Sequence, residues 1–87
     1  MKKIVLYKSP TCGPCKMFAP ICKKCAENTG IKYEEIDVTT EEGLKNAEAN
    51  NITHSGVALL IIDDVVKYTW DRPCPENKFM ETLSQFS

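Results

Sequence analysis

Long hydrophobic runs are missing from this chain. The longest, Val57–Ile62, has six residues, against the roughly 20 that cross a bilayer as a helix, so no membrane contact is expected. An export signal is missing too. Lys2 and Lys3 precede only the four apolar residues Ile4–Tyr7, fewer than a secretory core requires, and a cytoplasmic location is expected. Repeats, linkers and low-complexity stretches are absent. So is an excess of either charge, with 11 basic and 12 acidic residues giving a net −1. The basic residues are spread and not interleaved with aromatics, which argues against nucleic-acid binding. With 87 residues there is room for one domain, 1–87, burying only roughly 60% of its extended surface.

The charges that are present are segregated along the chain. Residues 1–33 carry seven lysines and one glutamate, whereas residues 34–64 carry eight acids and one lysine. This predicts either unrelated solvated faces or a dipolar surface able to orient a charged protein partner. Cysteine is the abundant residue, with five: Cys12, Cys15, Cys22, Cys25 and Cys74. An odd count without an export signal argues against a secreted disulfide scaffold. The thiols are expected to be catalytic, metal-binding or packed in the core.

Lys3–Lys8 is a short β-rich run stopped by Ser9-Pro10 and reads as a strand. Beyond Cys15, the residues Phe18, Ile21, Cys22, Cys25 and Ala26 form the stripe of an amphipathic helix, closed at Gly30 and expected to bend at Pro20. Ile31–Val38 reads as a second strand. A second helix starts at Thr39-Thr40-Glu41-Glu42, with a threonine cap and acids in its first turn, and ends near Asn50-Asn51. Val57–Ile62, apolar on both faces, reads as a central strand. Asp63-Asp64 turns it into a hairpin with Val65–Trp70. Pro75 opens a last helix carrying Phe79, Met80, Leu83 and Phe86. The order β-α-β-α-β-β-α predicts an α/β fold, a four-stranded mixed sheet flanked by helices, with the first two strands parallel. That path should bring Cys12–Cys15, Ser55-Gly56 and the loop Arg72–Cys74 to one edge.

Thr11-Cys12-Gly13-Pro14-Cys15 follows a strand and opens a helix, the setting in which a C-x-x-C pair reads as a redox dithiol. Thiols three apart at a helix start can close a disulfide, and the helix N-terminus favours a thiolate. Cys12 is the candidate nucleophile and Cys15 the candidate resolving thiol, breaking the mixed disulfide that Cys12 forms with its partner. Lys8 and Lys16 flank the motif as positive charges that would favour the Cys12 thiolate. Candidate docking positions for a substrate chain are Thr11, Gly13 and Pro14 on one side and Ser55, Gly56 and Val57 on the other.

The decapeptide Cys12-Gly-Pro-Cys-Lys-Met-Phe-Ala-Pro-Ile21 resembles the active site and first helix of the thioredoxin family, including a proline five residues after the second cysteine. Tyr7–Cys12 is more similar to a glutaredoxin lead-in, and the element order matches the shorter, glutaredoxin-like version of the thioredoxin fold. The resemblance implies a protein-disulfide reductase fed by an upstream disulfide reductase, with no cofactor and no metal. Three positions depart from the family pattern. Gly56 stands where the family carries a cis-proline facing the cysteines, so a trans bond and a donor N–H are expected there. Leu6 occupies the position of thioredoxin's buried acid. Asp71–Pro75 replaces the glutathione-holding Gly-Gly loop of glutaredoxins, so glutathione dependence is not implied.

Cys22 and Cys25 form a second C-x-x-C on the apolar stripe, and Cys22 lies about 10.5 Å along the helix from Cys15, beyond disulfide reach. Core packing is the expectation for both. Cys74 is either a loop thiol without a role or a third redox thiol, and His54 either a base or a structural residue. Two other functional readings remain open on the residues alone. One is an iron–sulfur or zinc module using Cys12 and Cys15. The other is a partner-binding domain that keeps the fold and lacks turnover. The active form is expected to be a monomer.

Overall fold

Strand β1 (Lys2–Lys8) organises the sheet. Its run Ile4-Val5-Leu6-Tyr7 is at most 2% exposed, because the strand is covered on both faces and flanked on both sides. In the computed structural model, which describes residues 1–86, the sheet order is β2-β1-β3-β4. Strand β2 (Lys32–Asp37) runs parallel to β1, with Leu6 opposite Glu35 and Lys8 opposite Asp37. Strand β3 (Val57–Ile62) runs antiparallel on the other side, starting at Tyr7 opposite Val57. Strand β4 (Val65–Trp70) is the far edge and returns toward the start of β3.

The helices fall on opposite faces. Helices α1 (Gly13–Thr29) and α3 (Glu76–Ser84) cover Ile4, Leu6, Ala58 and Leu60 with Phe18, Cys22, Cys25, Ala26, Phe79 and Leu83. Helix α2 (Glu41–Ala49) covers Val5, Tyr7, Val57 and Leu59 through Ala47. The three-layer arrangement expected from the element order is therefore observed, with boundaries shifted by a few residues. Among the described residues no helix is long and apolar enough to cross a membrane.

Local chemistry explains the ends. Gly30 takes a left-handed conformation (φ 71°) and returns its N–H to Ala26 and Glu27, which closes α1 without the penalty a Cβ would bring. Thr40 Oγ1 accepts from Gly43 N at 3.0 Å, capping α2. Glycine is required at 43 because a Cβ there would lie 1.8 Å from the Asp37 carbonyl oxygen. Asp63 and Asp64 both adopt positive φ, the conformation a two-residue hairpin matched to strand twist needs. Pro20 lies within α1 on its exposed face, and the helix continues through it.

Part of the charge segregation of the sequence is paired off by the fold. Basic β1 lies against acidic β2, giving Lys3–Glu34 (3.7 Å) and Lys8–Glu35 (2.8 Å), while Lys32–Glu34 (3.4 Å) adds a pair within β2. Parallel pairing puts the two blocks side by side.

Candidate active site

Cys12 is the N-cap of α1, with extended dihedrals (φ −80°, ψ 106°) that turn its side chain back over the first helical turn. Its N–H donates to Ser9 O at 3.1 Å, and its Sγ accepts from Cys15 N at 3.1 Å. The sulfur thus occupies the place a capping oxygen would take, beside the unpaired N–H groups at the positive end of the helix. Pro14 fits the first turn, where no N–H is needed. Cys12 and Cys15 are joined as a disulfide, Cα–Cα 5.3 Å. Cys12 is 8% exposed and Cys15 3%, while Thr11, Gly13, Pro14 and Lys16 around them are exposed. Met17, next along the helix, is 72% exposed.

The start of β3 closes the other side. Gly56 would carry a Cβ 3.8 Å from Cys12 Sγ and 3.9 Å from Cys15 Sγ, so this backbone lies directly against both sulfurs. No peptide bond among the described residues is cis, and Gly56 has φ 86°. Its N–H donates to Tyr7 O at 2.7 Å. The expected trans bond is present, but the N–H is not offered outward. It is spent on β1, because the left-handed turn aims it at the end of that strand. Tyr7 O also lies 3.9 Å from Cys15 Sγ. On the opposite face, Tyr7 OH donates to Asn46 Oδ1 at 2.6 Å and accepts from Asn50 Nδ2 at 3.2 Å. Burial raises the Tyr7 phenol above its usual range.

The other sequence candidates divide. Ser55 and Val57 flank Gly56, half-buried and buried respectively. Leu6 is fully buried and apolar, so no carboxylate stands at that point. Lys8 is not a free charge beside Cys12: it is paired with Glu35, which raises its ammonium above the ordinary value. His54 is exposed, with Nε2 3.2 Å from Asp71 O, so the loop after β4 does return to the segment leading into Gly56. Cys74, further along that loop, is half-buried against the α1–α3 core. Burial raises its thiol, and it in turn raises those of Cys22 and Cys25. Its thiol neighbours are therefore the second cysteine pair. Cys22 and Cys25 are free and fully buried, with burial the main cause of their raised values. Among the described residues no group of three or more His, Cys, Asp or Glu side chains is placed to hold a metal ion.

Sequence reasoning missed Glu35. It lies across a groove from Lys16 and Ala19, with Cys15 among the lining residues. The signal was present only as an acid in a half-buried strand, without its register.

Residues 1–64 match the family model for thioredoxin. The chain belongs to the thioredoxin family. With its closed Cys12–Cys15 pair, it is a thiol–disulfide oxidoreductase of that family. A probable thioredoxin of Archaeoglobus fulgidus is 36% identical over 64 residues, which is 74% of this chain and 68% of that protein. The NADPH-dependent thioredoxin reductase 3 of Arabidopsis thaliana is 45% identical over 51 residues, 56% of this chain but only 9% of that much longer protein. Among solved structures, thioredoxin 1 of Thermosipho africanus superposes with a TM-score of 0.85 at 20% identity, covering 97% of this chain and 92% of that one. Fasciola hepatica thioredoxin gives 0.82 at 22% identity, covering 99% and 81%. At these identities the structural likeness speaks for the thioredoxin fold.

Proposed function

We propose that the chain reduces disulfides in protein substrates, with Cys12 as nucleophile and Cys15 as resolving thiol. The observation that carries this reading is Cys12 Sγ at the N-cap, facing the Cys15 N–H. In the reduced protein that N–H and the helix dipole stabilise a Cys12 thiolate. The thiolate attacks one sulfur of the substrate disulfide, and the other leaves as a thiolate that takes a proton. Cys15, deprotonated, then attacks Cys12 Sγ in the mixed disulfide. The substrate's remaining sulfur leaves, and the Cys12–Cys15 disulfide closes. Two electrons from an upstream disulfide reductase restore the dithiol. The substrate chain docks on Thr11, Gly13 and Pro14, the chain neighbours of the cysteines, and on Gly56, whose backbone lies against both sulfurs, with its neighbours Ser55 and Val57.

The protein works as a monomeric single domain, 1–87, in which the exchange steps call on Cys12 and Cys15 and on the docking residues around them. It works in a reducing compartment such as the cytoplasm, where an upstream reductase keeps the pair open. Its glutaredoxin-like lead-in, Tyr7–Cys12, shapes the approach to the nucleophile. Alkylation of the reduced protein at neutral pH tests the assignment: Cys12 is expected to be labelled well before Cys15. Equal labelling, or faster labelling of Cys15, overturns it. A Cys15→Ser variant is expected to accumulate the mixed disulfide with its substrate.

A further inference from the structure

A groove of about 210 Å³ is lined by Cys15, by Lys8 and Ser9 at the end of β1, and by Lys16 and Ala19 of α1. Glu35 completes it from β2. The register explains how it gets there. Glu35 is the partner of Leu6, and paired residues in neighbouring strands project to the same face, here the face that α1 covers. The carboxylate is fixed at both oxygens. Lys8 Nζ donates to Oε1 at 2.8 Å and Tyr33 OH to Oε2 at 2.6 Å. Those two contacts hold Glu35 below the ordinary carboxyl range, while Glu35 holds Lys8 above the ordinary ammonium range. The other groups facing this pair are Lys16, Cys22 and Lys23 of α1, and Tyr33 and Asp37 of β2. None of these residues has a part in the exchange steps above.

We propose that Glu35 and Lys8 are positioning residues for Cys15, a fixed ion pair on the groove wall that sets how readily this buried thiol ionises. The proposal rests on the reading of Cys15 as the resolving thiol. A thiol at 3% exposure resists ionisation because its charged form loses hydration, so nearby fixed charges weigh heavily on it. With both partners present the groove beside Cys15 carries a paired, neutral couple. Removing one exposes the other. A single charge lining the same groove, through a partly solvated medium, is expected to change the thiolate fraction by about threefold.

The test uses the full chain in a Cys12→Ser background, where Cys15 cannot form its disulfide. The rate of Cys15 alkylation is followed against pH, with Cys74 labelling separated by peptide mapping. Glu35→Gln leaves the groove cationic and is expected to raise the Cys15 rate at neutral pH about threefold. Lys8→Met leaves the carboxylate alone and is expected to lower it about threefold. Lys8→Arg keeps the charge and should return the parent profile. Superimposable profiles would overturn the proposal. So would shifts of Glu35→Gln and Lys8→Met in the same direction, the mark of a merely loosened helix. Turnover of the Cys12→Ser protein, measured separately on a protein disulfide, tests the exchange reading itself, so the two failures are told apart.

Discussion

Helix α1 carries two C-x-x-C pairs of identical spacing. At Cys12 the backbone is extended and the residue lies half outside the helix, so its sulfur reaches over the first turn to Cys15 and the two close. Cys22 and Cys25 lie wholly inside the helix, in the layer shared with Phe18, Phe79 and Leu60. The first pair borders solvent-exposed residues and the positive end of a helix. The second is sealed, and burial pushes Cys22 and Cys25 up. Spacing therefore does not define a redox pair. What does is the break from helical dihedrals at the first cysteine and the unpaired N–H groups that come with it.

The sharpest way to break this comparison is to exchange the losses. Cys12→Ser is expected to reduce protein-disulfide turnover by at least about a thousandfold, since no other thiol is activated. The Cys22→Ala/Cys25→Ala double variant should keep turnover within about twofold. If the double variant, still folded, loses as much as Cys12→Ser, the two pairs are not distinct. Stability should respond in the opposite sense. Denaturant unfolding of Cys22→Ala/Cys25→Ala is expected to show a loss of about 2–4 kcal/mol from the vacated core. Gly56 provides an intermediate effect. Alanine there meets the two sulfurs at ordinary contact distance, so its cost is the positive φ, about 1–2 kcal/mol. Proline needs a negative φ and removes the N–H that Tyr7 O accepts, so unfolding of Gly56→Pro should begin at lower denaturant than unfolding of Gly56→Ala.

The smallest effect is in acid. Glu35 titrates lower in the folded chain than an ordinary carboxyl, held down by Lys8 and Tyr33. A lowered folded value means that its stabilisation is complete above the ordinary carboxyl range and disappears as pH falls through the folded value. Glu35→Gln should therefore flatten the decline in stability between about pH 5 and 3, read from thermal midpoints across that interval. An unchanged acid slope would show that the ion pair holds nothing in place.

Much of this was legible in the residues. Ile4–Tyr7 is a continuous apolar run and became the doubly covered β1. Phe18, Cys22, Cys25 and Ala26 repeat at helical spacing and became the buried face of α1. Cys12, Gly13 and Pro14 combine a cap position with an N-terminal proline, which is a local signal, and the site followed from it. What stayed hidden depends on contacts distant in sequence. The Lys8–Glu35 pair depends on parallel register, which β1 and β2 acquire only through the α1 crossover. The use of the Gly56 N–H depends on a backbone angle that glycine leaves open. Cys74 read as an open loop thiol because nothing local records that its loop folds against α1 and α3. The Lys3–Glu34 pair between the two charge blocks was hidden for the same reason.

Gly43 lies on the far side of the sheet from the sulfurs and has no chemistry of its own. Yet α2 rests so closely on the end of β2 that residue 43 admits only hydrogen. Any larger side chain must lift the helix that holds Asn46 and Asn50, and with it the clasp on the Tyr7 hydroxyl. Tyr7 carries the carbonyl that receives Gly56 and faces Cys15. In a map of mutational tolerance, position 43 should therefore stand out beside the cysteines, as intolerant as a reactive residue for purely spatial reasons.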